Sequence, residues 1–296
     1  MKHLLAICAL ALAATTGTAI ACLHPGNPSV QLVETGQKAL IMYADGREEL
    51  IIKVDYAGYA APGPLAWVVP TPSVPDHYAE TDPALFDELH RLTQPPQPRS
   101  KGLRSKSKSA APAMLIMHQP VNVGTYTIQP IGASGPEAGP ALNTWLKSNG
   151  FGEVPEANMK WYLDKGWTFL AIKTEANEPK GGLKPLRISF AADRLWYPLK
   201  FSSHQGDFPV TVYTLTKERL KPEAIAGLPG GFKAVGQARI VGGVGTSALK
   251  LLMAEIAKEG RLMIGRGHLR RLQSRRVNTQ ADPVAKWPED FSIAAP

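Results

Sequence analysis

The sequence predicts an α+β protein built mainly on antiparallel sheet, with short helices packed on one face. Three observations carry this reading. Asp45-Gly46 lies between two β-rich runs in "KALIMYADGREELIIKVDYAG", the composition of a two-residue hairpin turn. Four further runs, "WTFLAIKTE", "LKPLRISF", "LWYPLKFSS" and "FPVTVYTLT", follow one another through short polar turns, as an antiparallel meander does. The 27 glycines and 26 prolines among 296 residues supply the turns that many short strands need. One large or two modest domains are expected at this length.

Residues 1–21 read as an export signal. Lys2 and His3 precede an apolar run that closes on Ala19-Ile20-Ala21, the small-x-small pattern cut by signal peptidase. Cleavage there removes Cys8 and leaves Cys22 as the first residue and the single cysteine, so no intramolecular disulfide is expected. A terminal cysteine fits lipidation, although Ala19 stands where lipoprotein signals carry leucine. Soluble release is the other outcome. Losing Lys2 takes the net charge from +8 to +7, a bias toward anionic partners. No later run is long and apolar enough to span a bilayer.

Residues 22–93 form a first β-rich block with one helix. "LAWVV" reads as a buried strand, closed by Pro70, Pro72 and Pro75, which have no N–H to donate. "TDPALFDELHRLTQ" places Pro83 in a first helical turn, with Leu85, Phe86, Leu89 and Leu92 on one face. Residues 94–113 are basic and nearly devoid of apolar side chains, the composition of a flexible loop. Residues 114–220 form a second α+β block. It holds strands "AMLIMHQPV" and "VGTYTIQPIG", a helix "GPALNTWLKSNG" with Gly150 at its C-cap, a helix "EANMKWYLDKG" and the meander. The strand, Pro-rich turn, helix order of the first block recurs there. Residues 221–296 read as a C-terminal appendix with one helix and an arginine-rich tail.

Several stretches, taken in order, are similar to a known family: "DYAGYAAPGPLAWVVPTPSVP", "DPALFDELHRLTQP", "VGTYTIQPI", "LNTWLKSNGF", "KWYLDKGWTFLAIK", "LKPLRISF" and "WYPLKFS". They resemble the exported bacterial family of domain of unknown function 2330, over roughly residues 22 to 220. The resemblance implies an exported protein whose signal ends at a cysteine, and it brings no established activity. Family members follow that cysteine with a Gly-Gly-Phe-like, often cysteine-bearing segment. Here Leu23-His24-Pro25 stands instead, so no disulfide or metal role is carried over.

Candidate chemistry is sparse. Gly243-Val244-Gly245-Thr246-Ser247-Ala248 lies between an apolar strand and an apolar helix, the context of a dinucleotide fingerprint. No acidic residue follows at the next strand end, and an exported chain meets little nicotinamide cofactor. A glycine turn with Thr246 or Ser247 as N-cap, and Leu249, Leu252, Met253 and Ile256 packed inward, accounts for the pattern. Amides at Gly245 and Thr246 remain a candidate anion site. No nucleophile elbow and no H-E-x-x-H, H-x-x-x-H or C-x-x-C motif occurs. Asp87 and His90, with His77 upstream, fit a solvated helix face. A free Cys22-Leu23-His24 terminus would offer Cu(II) or Ni(II) a square-planar nitrogen set, which acylation of the amine abolishes.

Two surface readings complete the set. Trp161 and Trp196, each beside a tyrosine, are candidates for stacking on a glycan, whereas Trp67, Trp145 and Trp167 fit a core. Six arginines and no acid lie between Gly260 and Ala281, and Arg266, Arg270 and Arg271 are the candidate anion contacts. The expected function is a non-enzymatic, exported cell-envelope module, binding or structural. It needs no cofactor and no nucleic acid, and its possible partner is anionic lipid or polysaccharide. The alternative is an envelope hydrolase acting on glycan or peptide through carboxylates that the sequence does not single out.

Overall fold

The computed structural model describes residues 23–25, 32–58, 63–94, 116–133, 137–151, 154–176, 180–202, 207–242 and 245–295. The segment expected as an export signal, Cys22 and all but Gln94 of the segment expected as a basic loop lie outside them. In chain order the elements are β1 (Leu23–Pro25), β2 (Leu32–Ala44), β3 (Arg47–Gly58), β4 (Gly63–Thr71), β5 (His77–Glu80), α1 (Ala84–Leu92), β6 (Ile116–Met117), β7 (Val121–Val123) and β8 (Tyr126–Gly132). Then come α2 (Ala138–Ser148), α3 (Glu156–Asp164), β9 (Thr168–Ala176), β10 (Lys180–Gly182), β11 (Leu186–Ala191), β12 (Arg194–Tyr197) and β13 (Phe208–Thr216). The last are α4 (Pro222–Ala226), β14 (Lys233–Val241), α5 (Ala248–Lys258), β15 (Arg266–Val277) and β16 (Phe291–Ala294).

The strands form three sheets. A six-stranded sheet runs β1-β4-β9-β8-β6, with β7 also on β8. An eight-stranded sheet runs β14-β15-β13-β2-β3-β11-β5, with β10 also on β3. β12 and β16 pair alone. Every pairing is antiparallel except β13 with β2. The β2–β3 hairpin turns at Asp45 and Gly46, whose φ values are 54° and 76°. Two consecutive positive φ angles define a type I′ turn, which matches strand twist and favours an Asp-Gly pair.

Both faces of the eight-stranded sheet are buried at its centre, and the alternation along β2 shows how. Leu40, Met42 and Ala44 share one core with α1 (Leu85, Phe86, Leu89) and α5 (Leu249, Leu252, Met253, Ile256). Ala39, Ile41 and Tyr43 share the larger core with the six-stranded sheet, α2, α3 and β16. The helices are thus divided between two cores and do not line a single face.

Two further sequence expectations are corrected. The four runs expected as a meander do not pair with one another: β9 joins the six-stranded sheet, β11 lies between β3 and β5, β12 pairs with β16, and β13 lies between β15 and β2. Short turns favour neighbouring pairing, but each of these runs is buried by partners distant in sequence. The segment expected as an appendix supplies β14 and β15 to the eight-stranded sheet and β16 to the larger core. Its arginine-rich part is a strand rather than a tail.

Candidate functional site

At the β14 margin the eight-stranded sheet has one uncovered face. Ala238 and Ile240 turn toward α1 and α5, while Gln237, Arg239 and Val241 point the other way and are exposed. In β15, His268 and Arg270 share this outer face, because Leu269 between them belongs to the helix-side core. Register places Arg239 opposite His268 and Gln237 opposite Arg270. Directly opposed side chains of an antiparallel pair are near neighbours. Arg219, three residues beyond the end of β13, closes the third side.

Arg219, Gln237, Arg239, His268 and Arg270, with Ala238 and Leu269, line a hollow of about 220 Å³. No acid is in the lining. Among the described residues, no ion pair involves Arg219, Arg239 or Arg270, although neighbouring arginines do pair, Arg261 with Asp76 and Arg276 with Asp207. Burial first, then the guanidinium groups of Arg219, Arg239 and Arg270, hold the His268 imidazole below its ordinary 6.5. Three like charges around one hollow repel one another, so an anion there relieves a cost built into the fold.

The residues singled out from sequence fall in different places. Arg270 lies in the hollow, whereas Arg266 is exposed at the start of β15 and outside the lining. Arg271 points to the opposite face, where its Nη1 lies 2.8 Å from His90 Nδ1 and its side chain is buried. Gly245 and Thr246 do not line the hollow. They precede α5, whose first turn is already occupied. Ser247 Oγ accepts from Lys250 N at 3.4 Å, and the Glu88 carboxylate accepts from Leu249 N at 3.1 Å. An internal carboxylate therefore sits where an external anion was expected. Sequence reasoning missed Arg219, Gln237, Arg239 and His268, which only strand register brings to Arg270.

Trp161 and Trp196 are packed in an aromatic cluster. Their centroids lie 6.1 Å apart, and each meets Trp167 edge-on at 5.6 and 5.2 Å. Trp196 is 7% exposed and Arg194 covers its ring, so it offers no face to a sugar. Lys165 lies over the half-buried Trp161 ring. Cys22 lies outside the described residues, and β1 sets His24 opposite Ala66. His77 contacts Glu259 and His90 contacts Arg271, so the two histidines do not converge. Among the described residues no group of three or more His, Cys, Asp or Glu is placed to hold a metal, and no helix is long and apolar enough to cross a membrane.

Three carboxylates are held above their ordinary range, each chiefly by burial. Asp290 is pushed to about 7 while accepting from Tyr162 Oη, Lys200 N and Phe291 N. Glu48 accepts from Trp196 N at 2.8 Å, and Glu49 lies 3.7 Å from the Arg187 guanidinium. All three are buried inside the protein, Asp290 and Glu48 with hydrogen bonds and Glu49 beside Arg187.

A family model described as an uncharacterized protein conserved in bacteria, domain of unknown function 2330, matches residues 18–228. The chain belongs to this family. No curated protein is significantly similar to it. Among solved structures, the crystal structure of baculovirus P35 is 10% identical, with 74% of this chain and 77% of that one covered and a TM-score of 0.39. Two structures of mutated baculovirus P35 after caspase cleavage are 8% and 11% identical. They cover 81% and 72% of this chain and 92% and 77% of theirs, with TM-scores of 0.36 and 0.35. At these scores the likeness carries no argument. The span of domain of unknown function 2330 ends before β14, so Arg219 is the only lining residue of the hollow inside it.

Proposed function

We propose that the protein is an exported cell-envelope module, non-enzymatic, that holds an anionic group of lipid or polysaccharide in the hollow between β14 and β15. One observation carries this reading: three guanidinium groups and an imidazole converge on a recess whose lining contains no acid. Export rests on the sequence, on Lys2, the apolar run and the Ala19-Ile20-Ala21 site before Cys22. The burial of Asp290, Glu48 and Glu49 favours binding over a hydrolase, which needs carboxylates open to a cleft.

The test is retention of the purified protein on heparin or on vesicles containing anionic lipid, as a function of salt. Retention should fall steeply as salt rises, and Arg239→Gln with Arg270→Gln should weaken it. Equal retention of wild type and variant would sink the reading. Mass spectrometry of the protein from the producing cell reads the N-terminus separately. A diacylglyceryl Cys22, or a free one, agrees with export, whereas an intact Met1–Ala21 segment does not.

A further inference from the structure

We propose that the group held in this hollow is a phosphoryl group rather than a carboxylate. The inference rests on the hollow being an anion site and adds the chemistry of the anion. The donors approach from three elements: Arg239 and Gln237 from β14, Arg270 and His268 from β15, and Arg219 from the chain after β13. A planar carboxylate presents two oxygens whose acceptor directions all lie in one plane. It meets poorly a donor that arrives from outside that plane. A tetrahedral phosphoryl group presents three oxygens in three directions, with charge shared among them, and so answers donors on three sides.

Charge points the same way. With His268 neutral the lining carries three positive charges and no negative one, which a monoanionic carboxylate compensates least and a phosphate monoester dianion far better. At about 220 Å³ the hollow also holds more than the ion, so part of a carrier such as glycerol or a sugar fits beside it. Gln237, an amide among the lining side chains, can meet a carrier hydroxyl through either end. The carrier has two possible sources, a lipid headgroup or a phosphorylated soluble glycan.

The experiment is calorimetric titration of the full-length protein with glycerol 3-phosphate and with succinate, at matched pH and ionic strength. Both are dianions, so charge is held constant while geometry changes. Glycerol 3-phosphate should bind at least about tenfold tighter, the scale of one additional charge-assisted hydrogen bond. Arg239→Gln with Arg270→Gln should remove that preference. Arg219→Gln, on a separate exposed segment, should reduce it too, and serves should the double variant not fold. Succinate binding as tightly as glycerol 3-phosphate overturns the phosphoryl assignment and leaves the anion site standing. Binding of neither, together with no retention on heparin or anionic vesicles, overturns both. Phosphatidylcholine vesicles with and without phosphatidic acid then separate the sources. Capture only when phosphatidic acid is present identifies a lipid headgroup, and tight glycerol 3-phosphate binding without vesicle capture identifies a soluble carrier.

Discussion

The Glu88 carboxylate of α1 accepts a hydrogen bond from the Leu249 backbone N–H in the first turn of α5, at 3.1 Å. Glu88 is buried, so this contact joins two helices that are distant in sequence and both lie on the eight-stranded sheet. It satisfies a backbone donor that has no partner within its own helix and sets a negative charge at the positive end of the α5 dipole. Glu88→Ala should cost about 1–3 kcal/mol in urea unfolding, because it leaves a buried donor unmet. Glu88→Gln should cost less, since an amide oxygen still accepts. An unchanged midpoint for Glu88→Ala would refute the role.

Arg187 is fully buried and its Nη2 forks onto Glu259 at 2.7 and 2.6 Å, with Glu49 behind it at 3.7 Å. Removing one member of a buried ion group strands the others. Arg187→Met should therefore destabilise by about 3–5 kcal/mol. Arg194→Met, at an exposed pair with Asp193, should stay within about 1 kcal/mol.

Asp290 provides a pH signature. Burial raises its folded value to about 7, above the unfolded carboxylate range near 3.9. Its contribution to stability is therefore fully present below about pH 4 and is lost as pH rises through about 7. Glu48 and Glu49 are raised as well and act with the same sign. Unfolding free energies measured from pH 4 to 8 should decline less steeply for Asp290→Asn than for wild type. Parallel pH profiles would contradict the assignment.

The hollow predicts a proton uptake on binding. Facing the His268 imidazole are Arg239 and Gln237 from β14, Arg270 from its own strand, Arg219, and Thr216 opposite it on β13. The guanidinium groups and burial lower its value in the free protein, and a bound anion reverses the electrostatic part. Affinity for sulfate, whose own charge is constant in this range, should rise as pH falls from 7.5 to 5.5. His268→Gln should flatten the profile. An equal slope in the variant would remove His268 from the site.

Sulfate should also raise the melting temperature of wild type through mass action, by an amount that grows with sulfate over its dissociation constant. Arg239→Gln with Arg270→Gln, which removes two mutually repelling charges, one exposed and one half-buried, should melt no lower than wild type in low salt and gain less from sulfate. An equal gain would place sulfate elsewhere.

What was legible in the sequence was local. Asp45-Gly46 announces its turn, three of the four residues expected on the inner face of α1 are buried while Leu92 is exposed, and of Thr246 and Ser247 it is Ser247 that caps α5, with Leu249, Leu252, Met253 and Ile256 inward. Strand partners were not legible, because β13 is equally able to pair with a near neighbour or with β2 and β15. Arg270 was found from the charge run alone, but Arg219 and Arg239 lie 51 and 31 positions earlier, and only register brings Arg239, and the chain after β13 Arg219, near it. A signal for the strand was present: "RGHLRRLQSRRV" sets Leu269 and Arg271 on one face and His268, Arg270 and Leu272 on the other. Its high charge outweighed that alternation and made it read as a tail.

The pairing of β16 with β12 has a consequence for assembly. Phe291 and Ile293 fill the larger core, and Asp290 answers the Tyr162 hydroxyl and the Lys200 amide. A chain synthesised from its N-terminus thus lacks this closing piece until every other described strand has been made. Contacts of such long sequence separation make folding slow. Loss of residues 284–295 would strip Lys200 Nζ of the Val284 and Trp287 carbonyls and open the aromatic cluster from behind. β16 works as a latch, and the order of synthesis decides when it closes.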